Sequence, residues 1–279
     1  MLKRVTNKIA RTLGRIPNLD DHDTALPYLN GIYEQLMRKG RRELRPTYTW
    51  AMVQSAFLAS SLDVKRISAL EFGVAGGNGL LALERVAERI EKYFPVTVDV
   101  YGFDSAQGLP KPEDYRDLPN LWPEAGYPMD VQKLRQRLSR AELVVGLVEK
   151  TVAQFLESKP APIGFVSFDL DFYSSTVQAF GVLQADYQFL MPRVHCYFDD
   201  ILGYTCAHHN GERLAISEFN TAHTNRQISQ IYGLRFCLPK RDREANWTEK
   251  MFMAHLVEHP MYDRWDGLLR NARVDLAAA

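Results

Sequence analysis

Cysteine is scarce in this chain, and its three copies, Cys196, Cys206 and Cys237, show no CxxC spacing. No thiolate metal cluster or redox pair can be read from them. Cys196 and Cys237 fall within expected strands, where a free cysteine behaves as a small apolar residue, and the usage fits a reducing cytoplasm. Net charge is missing too, since 34 Lys and Arg balance 34 Asp and Glu over 279 residues. No global field therefore draws nucleic acid or an acidic partner, and no basic, aromatic-laced stretch offers phosphate contacts. No apolar run approaches the roughly 20 residues needed to span a bilayer. Internal repeats and low-complexity segments are also lacking.

What remains is ordinary globular material. Aromatics at 11%, with 17 Gly and 14 Pro, can fill a sizeable core, and disorder is not indicated. The length predicts one large α/β domain with extensions rather than two independent domains. Residues 1–62 read as a helical N-terminal extension and 63–279 as the main domain. At the start, Lys3, Arg4, Lys8, Arg11 and Arg15 interleave with Leu2, Val5, Ile9, Leu13 and Ile16 at helical spacing. Such a helix either lies on an anionic membrane surface or packs on its own fold or a second subunit, which makes it a candidate homodimer contact. The second reading is the stronger. The long apolar core and cleavage site of a secretory signal are missing.

Hydrophobic spacing predicts helices over 24–39 and 46–62, then a strand at 67–73 with its helix at 79–93 and a strand at 96–104. An irregular Pro-rich stretch at 108–128 is too long for a simple connection and reads as functional. A helix at 130–139, a strand at 143–148 and a short helix at 152–157 follow. Two strands ending near 169 and 199 flank a crossover helix at 174–190, so they should be parallel neighbours. The chain closes with a helix at 211–224 and strands at 231–238 and 250–257. With no convincing helix between them, these last two suggest an antiparallel pair at one edge of an otherwise parallel sheet.

Two of the strands turn acidic at their ends. The run 165–171 is apolar up to Asp169 and Asp171, and the run 194–200 is apolar up to Asp199 and Asp200. As parallel neighbours about 4.8 Å apart they bring Asp169 near Asp199 and Asp200. Crowding three carboxylates at a dry strand edge is costly unless a cation or raised pKa values relieve it. A divalent-metal site follows as the first hypothesis. Asp171, next to the expected crossover helix, reads as a helix N-terminal partner rather than a ligand.

A second signal lies in the turn Gly73-x-x-Gly76-Gly77-x-Gly79 between the first strand and its helix. It is neither the dinucleotide fingerprint nor a phosphate loop. Glu71 just before it would repel pyrophosphate but suits an ammonium group, such as that on the methionine tail of S-adenosylmethionine. Asp104 ends the second strand, where α/β sheets hold ribose hydroxyls.

These residues resemble a family. Glu71-Phe72-Gly73-Val74-x-x-Gly77, Gly102-Phe103-Asp104-Ser105-x-x-Gly108-Leu109-Pro110, Asp169-x-Asp171-x-Tyr173-x-Ser175-Thr176 and Asp199-Asp200 occur in order. The set is similar to the macrocin O-methyltransferases, class I S-adenosylmethionine-dependent enzymes best known for methylating sugar hydroxyls on macrolides. The resemblance covers roughly residues 66–259. It implies a Rossmann-like, doubly wound seven-stranded sheet and a magnesium ion on Asp169, Asp199 and Asp200. It also implies cofactor contacts at Glu71, Gly73, Gly77, Asp104 and the adjoining Ser105, with Leu147 in the loop facing adenine. Two departures are visible. Met191-Pro192-Arg193 replaces the family's Pro-Gly-Gly, and the loop 201–210 beside the acceptor pocket is longer than the family's.

The implied activity is Mg-assisted methyl transfer to a hydroxyl of a sugar or other small diol-like acceptor. A bound cation lowers the pKa of an acceptor oxygen. Asp169 is then both ligand and proton acceptor, with His208 and His209 as alternative bases. Trp122 reads equally as a lid or a loop anchor, and His255 as a packed strand residue. The rival readings are a metal-independent methyltransferase of the same fold and a non-catalytic S-adenosylmethionine-binding module.

Overall fold

The computed structural model of the chain describes residues 25–40 and 43–264, and the basic helix expected near the N-terminus lies outside them. Two helices come first, α1 (Leu26–Gly40) and α2 (Pro46–Ser61). Alternation follows with β1 (Arg66–Phe72), α3 (Asn78–Ile90), β2 (Thr97–Asp104), α4 (Val131–Arg137), β3 (Glu142–Val145) and α5 (Val148–Glu157). The chain continues through β4 (Ile163–Phe168), α6 (Tyr173–Ala179), β5 (Leu190–Phe198) and α7 (Gly211–Ala222). It ends with β6 (Arg226–Gln230), α8 (Leu234–Cys237) and β7 (Met251–Leu256). The strands form one sheet in the order β3-β2-β1-β4-β5-β7-β6. β7 runs antiparallel to both of its neighbours and the remaining pairs are parallel.

Central strands must be apolar on both faces when helices cover each side. β4 is buried at all six positions and β1 at all but Arg66. Register across four strands is fixed by an aromatic ladder. Phe72 pairs with Phe103 and Phe168, and Phe168 pairs with Phe198. Their rings stack at centroid distances of 4.6, 5.8 and 4.8 Å. Each such contact adds about 0.5–1.5 kcal/mol beyond the area it buries.

The residue after each phenylalanine is a site residue: Gly73, Asp104, Asp169 and Asp199. Backbone bonds Gly73 N–H to Phe103 O, Asp169 N–H to Phe72 O and Asp199 N–H to Phe168 O extend the ladder one rung further, at 2.9, 3.0 and 2.9 Å. Stacking inside the sheet thus aligns the polar residues along its carboxyl edge.

α2 starts with Pro46, whose fixed φ suits a first helical turn. It is buried from Thr47 to Ala59 without a polar face, as befits a helix enclosed on all sides. It packs on β4, β5 and α3, with α1 stacked on it, and all share one core.

The structure corrects several boundaries. The strand expected at 231–238 does not form. β6 is the polar stretch Arg226–Gln230, in which Ile228 alone is buried. An edge strand needs little inward apolar surface, so its pattern is weak. Residues 231–238 instead hold a left-handed Gly233 and the short α8, with Phe236 and Cys237 exposed. β7 inserts between β5 and β6, so the antiparallel pairing expected at this edge is present with β6 outermost. β3 stops at Val145 because Gly146 adopts φ +150, and Val148 already begins α5. The crossover helix ends at Ala179 and continues as 3-10 turns.

Candidate active site at the carboxyl edge

A cavity of ≈ 540 Å³ opens at this edge. At one end it is lined by Glu71, Gly73, Gly77, Asp104, Ser105 and Leu147, and at the other by Asp169, Asp199 and Asp200.

The glycines are dictated by close approach. Gly73 has φ +82, and a Cβ there would lie 1.6 Å from the Asp169 carbonyl oxygen. Gly77 has φ +80, and its Cβ would meet Leu134 Cδ1 at 2.2 Å. Asp104 secures the turn they form. Its Oδ2 accepts from the amides of Val74 (2.9 Å) and Ala75 (2.8 Å), and its Oδ1 from Ala106 (2.7 Å). A carboxylate has about four acceptor sites, so capacity for one ligand hydroxyl remains. The Ser105 hydroxyl is engaged within its own loop, donating to Gly108 O at 3.0 Å and accepting from Gln107 N–H. Leu147 is exposed at the start of α5 and forms cavity wall.

Glu71 lies at the base of this end. It is fully buried, its Oε1 accepts from the Tyr48 hydroxyl at 2.8 Å, and its Oε2 has no partner. Burial pushes its carboxyl up to about 7, against the opposing influence of Arg45 and the Tyr48 hydrogen bond. Sequence reasoning missed Arg45 and Tyr48, which come from α2. Arg45 is the extended N-cap residue before Pro46 and Tyr48 lies in the first turn of α2, so no helix-face pattern marks the pair.

At the acidic end, Asp169, Asp199 and Asp200 each offer a carboxylate oxygen, all within 4.8 Å of one another. Burial, then the charges of Asp199, Asp200 and Glu71, push the Asp169 carboxyl up to about 9. Burial and Asp199 raise Asp200. One oxygen of Asp199 is occupied, accepting from the Tyr197 hydroxyl and from Lys250 Nζ.

Asp171 does not serve as the expected helix partner. Phe172 is the N-cap of α6, and Asp171 has turned to φ +62 with its amide donating to Asp200 Oδ2 at 3.1 Å. The strand ends before it, so alternation no longer sets its direction. Burial and Asp200 raise its carboxyl as well.

Glu212, in the first turn of α7, was not anticipated. It is 1% exposed, only the backbone amide of Asp200 is placed to relieve its carboxylate, and burial followed by Asp200, Asp169 and Asp199 pushes it well above the carboxylate range. It feels the charges of all three aspartates but does not line the cavity.

The remaining candidates divide. His208 and His209 are exposed in the loop 201–210 and do not line the cavity. His255 is packed in β7 with Nδ1 2.9 Å from the Tyr262 hydroxyl. Trp122 lines the cavity, and its buried indole Nε1 has no partner. Its stretch is tied down by Leu109 and Ala125 backbone bonds and by Asp117, which accepts from the amide and hydroxyl of Ser174 at 2.8 and 3.0 Å. The Pro-rich segment therefore forms one wall of the cavity.

The donor set fits a hard cation, since clustered carboxylates suit Mg²⁺, Mn²⁺ or Ca²⁺ and no sulfur or imidazole contributes. The other end fits a ligand with an ammonium group, because the unpartnered Glu71 Oε2 needs a cationic donor.

The sheet order with its inserted antiparallel strand and the Gly turn after β1 define the Rossmann-like fold of class I methyltransferases. Among solved structures the chain is similar to the calicheamicin methyltransferase CalS11, at 22% identity and a TM-score of 0.50 over 83% of this chain and 88% of that one. It is also similar to the O-methyltransferase NovP, at 13% identity and a TM-score of 0.48 over 66% and 76%. No family model and no curated protein matches the chain.

Proposed function

We propose that this protein is an S-adenosylmethionine-dependent O-methyltransferase. It would act on a hydroxyl of a sugar or other small diol-like acceptor in natural-product or polysaccharide biosynthesis, with Mg²⁺ held by Asp169, Asp199 and Asp200. One observation carries the reading: a single cavity joins a buried, unpartnered Glu71 oxygen at the Gly turn to a cluster of three aspartates. The sugar class rests on the macrocin-type motifs.

S-adenosylmethionine supplies an electrophilic sulfonium methyl, and a divalent cation supplies Lewis-acid polarisation of a hydroxyl. The chain's own residues do the positioning. Glu71 Oε2 would hold the ammonium, Asp104 fixes the turn and keeps an acceptor site that a ribose hydroxyl would fill, and Leu147 would face the adenine. Gly73 and Gly77 keep the backbone open to the ligand, and Ser105 stiffens the loop after Asp104. Asp169, returned to its charged form by a cation on the cluster, would be the proton acceptor at the reacting hydroxyl. A cytoplasmic location agrees with the cysteine usage, and among the described residues no helix is long and apolar enough to cross a membrane.

A metal-independent transfer has one observation in its favour: Lys250 Nζ lies 3.2 Å from Asp199 Oδ1 and brings a positive charge to the cluster. The two readings separate in a methyl-transfer assay over glycosides and nucleotide sugars, run with Mg²⁺ and with EDTA. Transfer that stops in EDTA and returns with Mg²⁺ supports the metal reading. Undiminished transfer in EDTA favours Lys250, and absence of S-adenosylhomocysteine binding would refute both.

A further inference from the structure

Arg45 and Glu71 form a pair that fails to close. Elsewhere in this chain, Arg66 and Asp99 meet in a two-pronged bridge at 2.7 and 2.8 Å, the geometry an unconstrained guanidinium and carboxylate adopt. Arg45 Nη1 stays 4.0 Å from Glu71 Oε1. The Tyr48 hydroxyl stands between them, accepting from Arg45 at 3.1 Å and donating to Glu71 at 2.8 Å. Tyr48 is itself fully buried and fixed by Ser167 at 3.0 Å, and the guanidinium rests over its ring at 5.2 Å.

The result is two opposite charges held side by side but apart, both on the cavity wall. Glu71 keeps Oε2 without a partner, and the Arg45 side chain is 40% exposed with most of its five N–H donors unused. Pro46 fixes this placement by holding Arg45 extended at φ −88, ψ 129. A ligand that satisfies both groups must carry a cation and an anion a few ångströms apart, as an α-amino acid does on a single carbon.

We infer that Arg45 binds the carboxylate of the ligand's amino-acid tail while Glu71 Oε2 binds its ammonium, which rests on reading the cavity as an S-adenosylmethionine site. Helix α2, which precedes the first strand, is on this account part of the cofactor site and not only a covering element.

The test is calorimetry with two probes, S-adenosylhomocysteine and its decarboxylated analogue, which keeps the amine. In wild type the analogue should bind about 10- to 100-fold more weakly, the worth of a charge-assisted contact. Arg45→Ala should weaken S-adenosylhomocysteine by the same factor and leave the analogue within about twofold, with Arg45→Lys recovering part of the loss. Equal weakening of both probes would make Arg45 a structural support for Glu71 and overturn the inference, as would no change in either. The wild-type comparison stands without any variant, and equal affinities there also overturn it. If wild type binds neither probe, the reading of the cavity fails rather than the role of Arg45 within it.

Discussion

Ligand binding should expel a proton from Glu71. Burial holds this carboxyl at about 7 in the free protein, so it is about half protonated at pH 7 and about nine-tenths protonated at pH 6. An ammonium group on Oε2 favours the charged form and returns the carboxyl toward its ordinary range of about 4.5. Binding of S-adenosylhomocysteine should therefore release about 0.5 proton at pH 7, about 0.9 at pH 6 and almost none at pH 8. Titrations in buffers of different ionisation enthalpy give the number as a slope. Glu71→Gln should flatten that slope and weaken binding. A wild-type slope near zero at pH 6, or an unchanged slope in the variant, would refute the reasoning. The same group weakens the free protein as pH rises. Its folded value lies above the unfolded one, so its stability contribution is whole below about 4.5 and lost through about 7, a change of about 3 kcal/mol.

Two structural predictions accompany this. Gly73→Ala forces a side chain to 1.6 Å from the Asp169 carbonyl at φ +82, and should cost at least about 3 kcal/mol, read as a lowered urea midpoint or loss of soluble protein. Glu212→Met replaces a buried carboxyl that three aspartates repel and only the Asp200 amide relieves, so the metal-free protein should gain about 1–3 kcal/mol and melt several degrees higher. A fall in melting temperature would mean that Glu212 has a structural partner.

Much of the site was legible because the strand ends are local. Phe103-Asp104, Phe168-Asp169 and Phe198-Asp199 each mark the point where a buried run meets the edge, and parallel pairing then brings the aspartates together. What escaped depends on distant packing. Arg45 and Tyr48 reach Glu71 from a helix before the sheet, and Glu212 arrives beside Asp200 after the loop 201–210. β6 was misplaced because an edge strand with one buried side chain leaves little pattern, whereas Leu234, Phe236 and Leu238 alternate and mimic one. The place of Asp171 was not legible because β4 ends at Phe168 and the chain enters a left-handed turn three residues later, which no strand or helix pattern marks.

The central claim is that Asp169, Asp199 and Asp200 hold one divalent cation beside the donor site. Titrating Mn²⁺ into protein saturated with S-adenosylhomocysteine, and reading free Mn²⁺ by electron paramagnetic resonance, tests it without knowledge of the acceptor. The account predicts one sequestered ion per chain in wild type, competed by Mg²⁺ and lost in Asp169→Asn and Asp200→Asn. No sequestered ion in wild type, or equal sequestration in both variants, would contradict it.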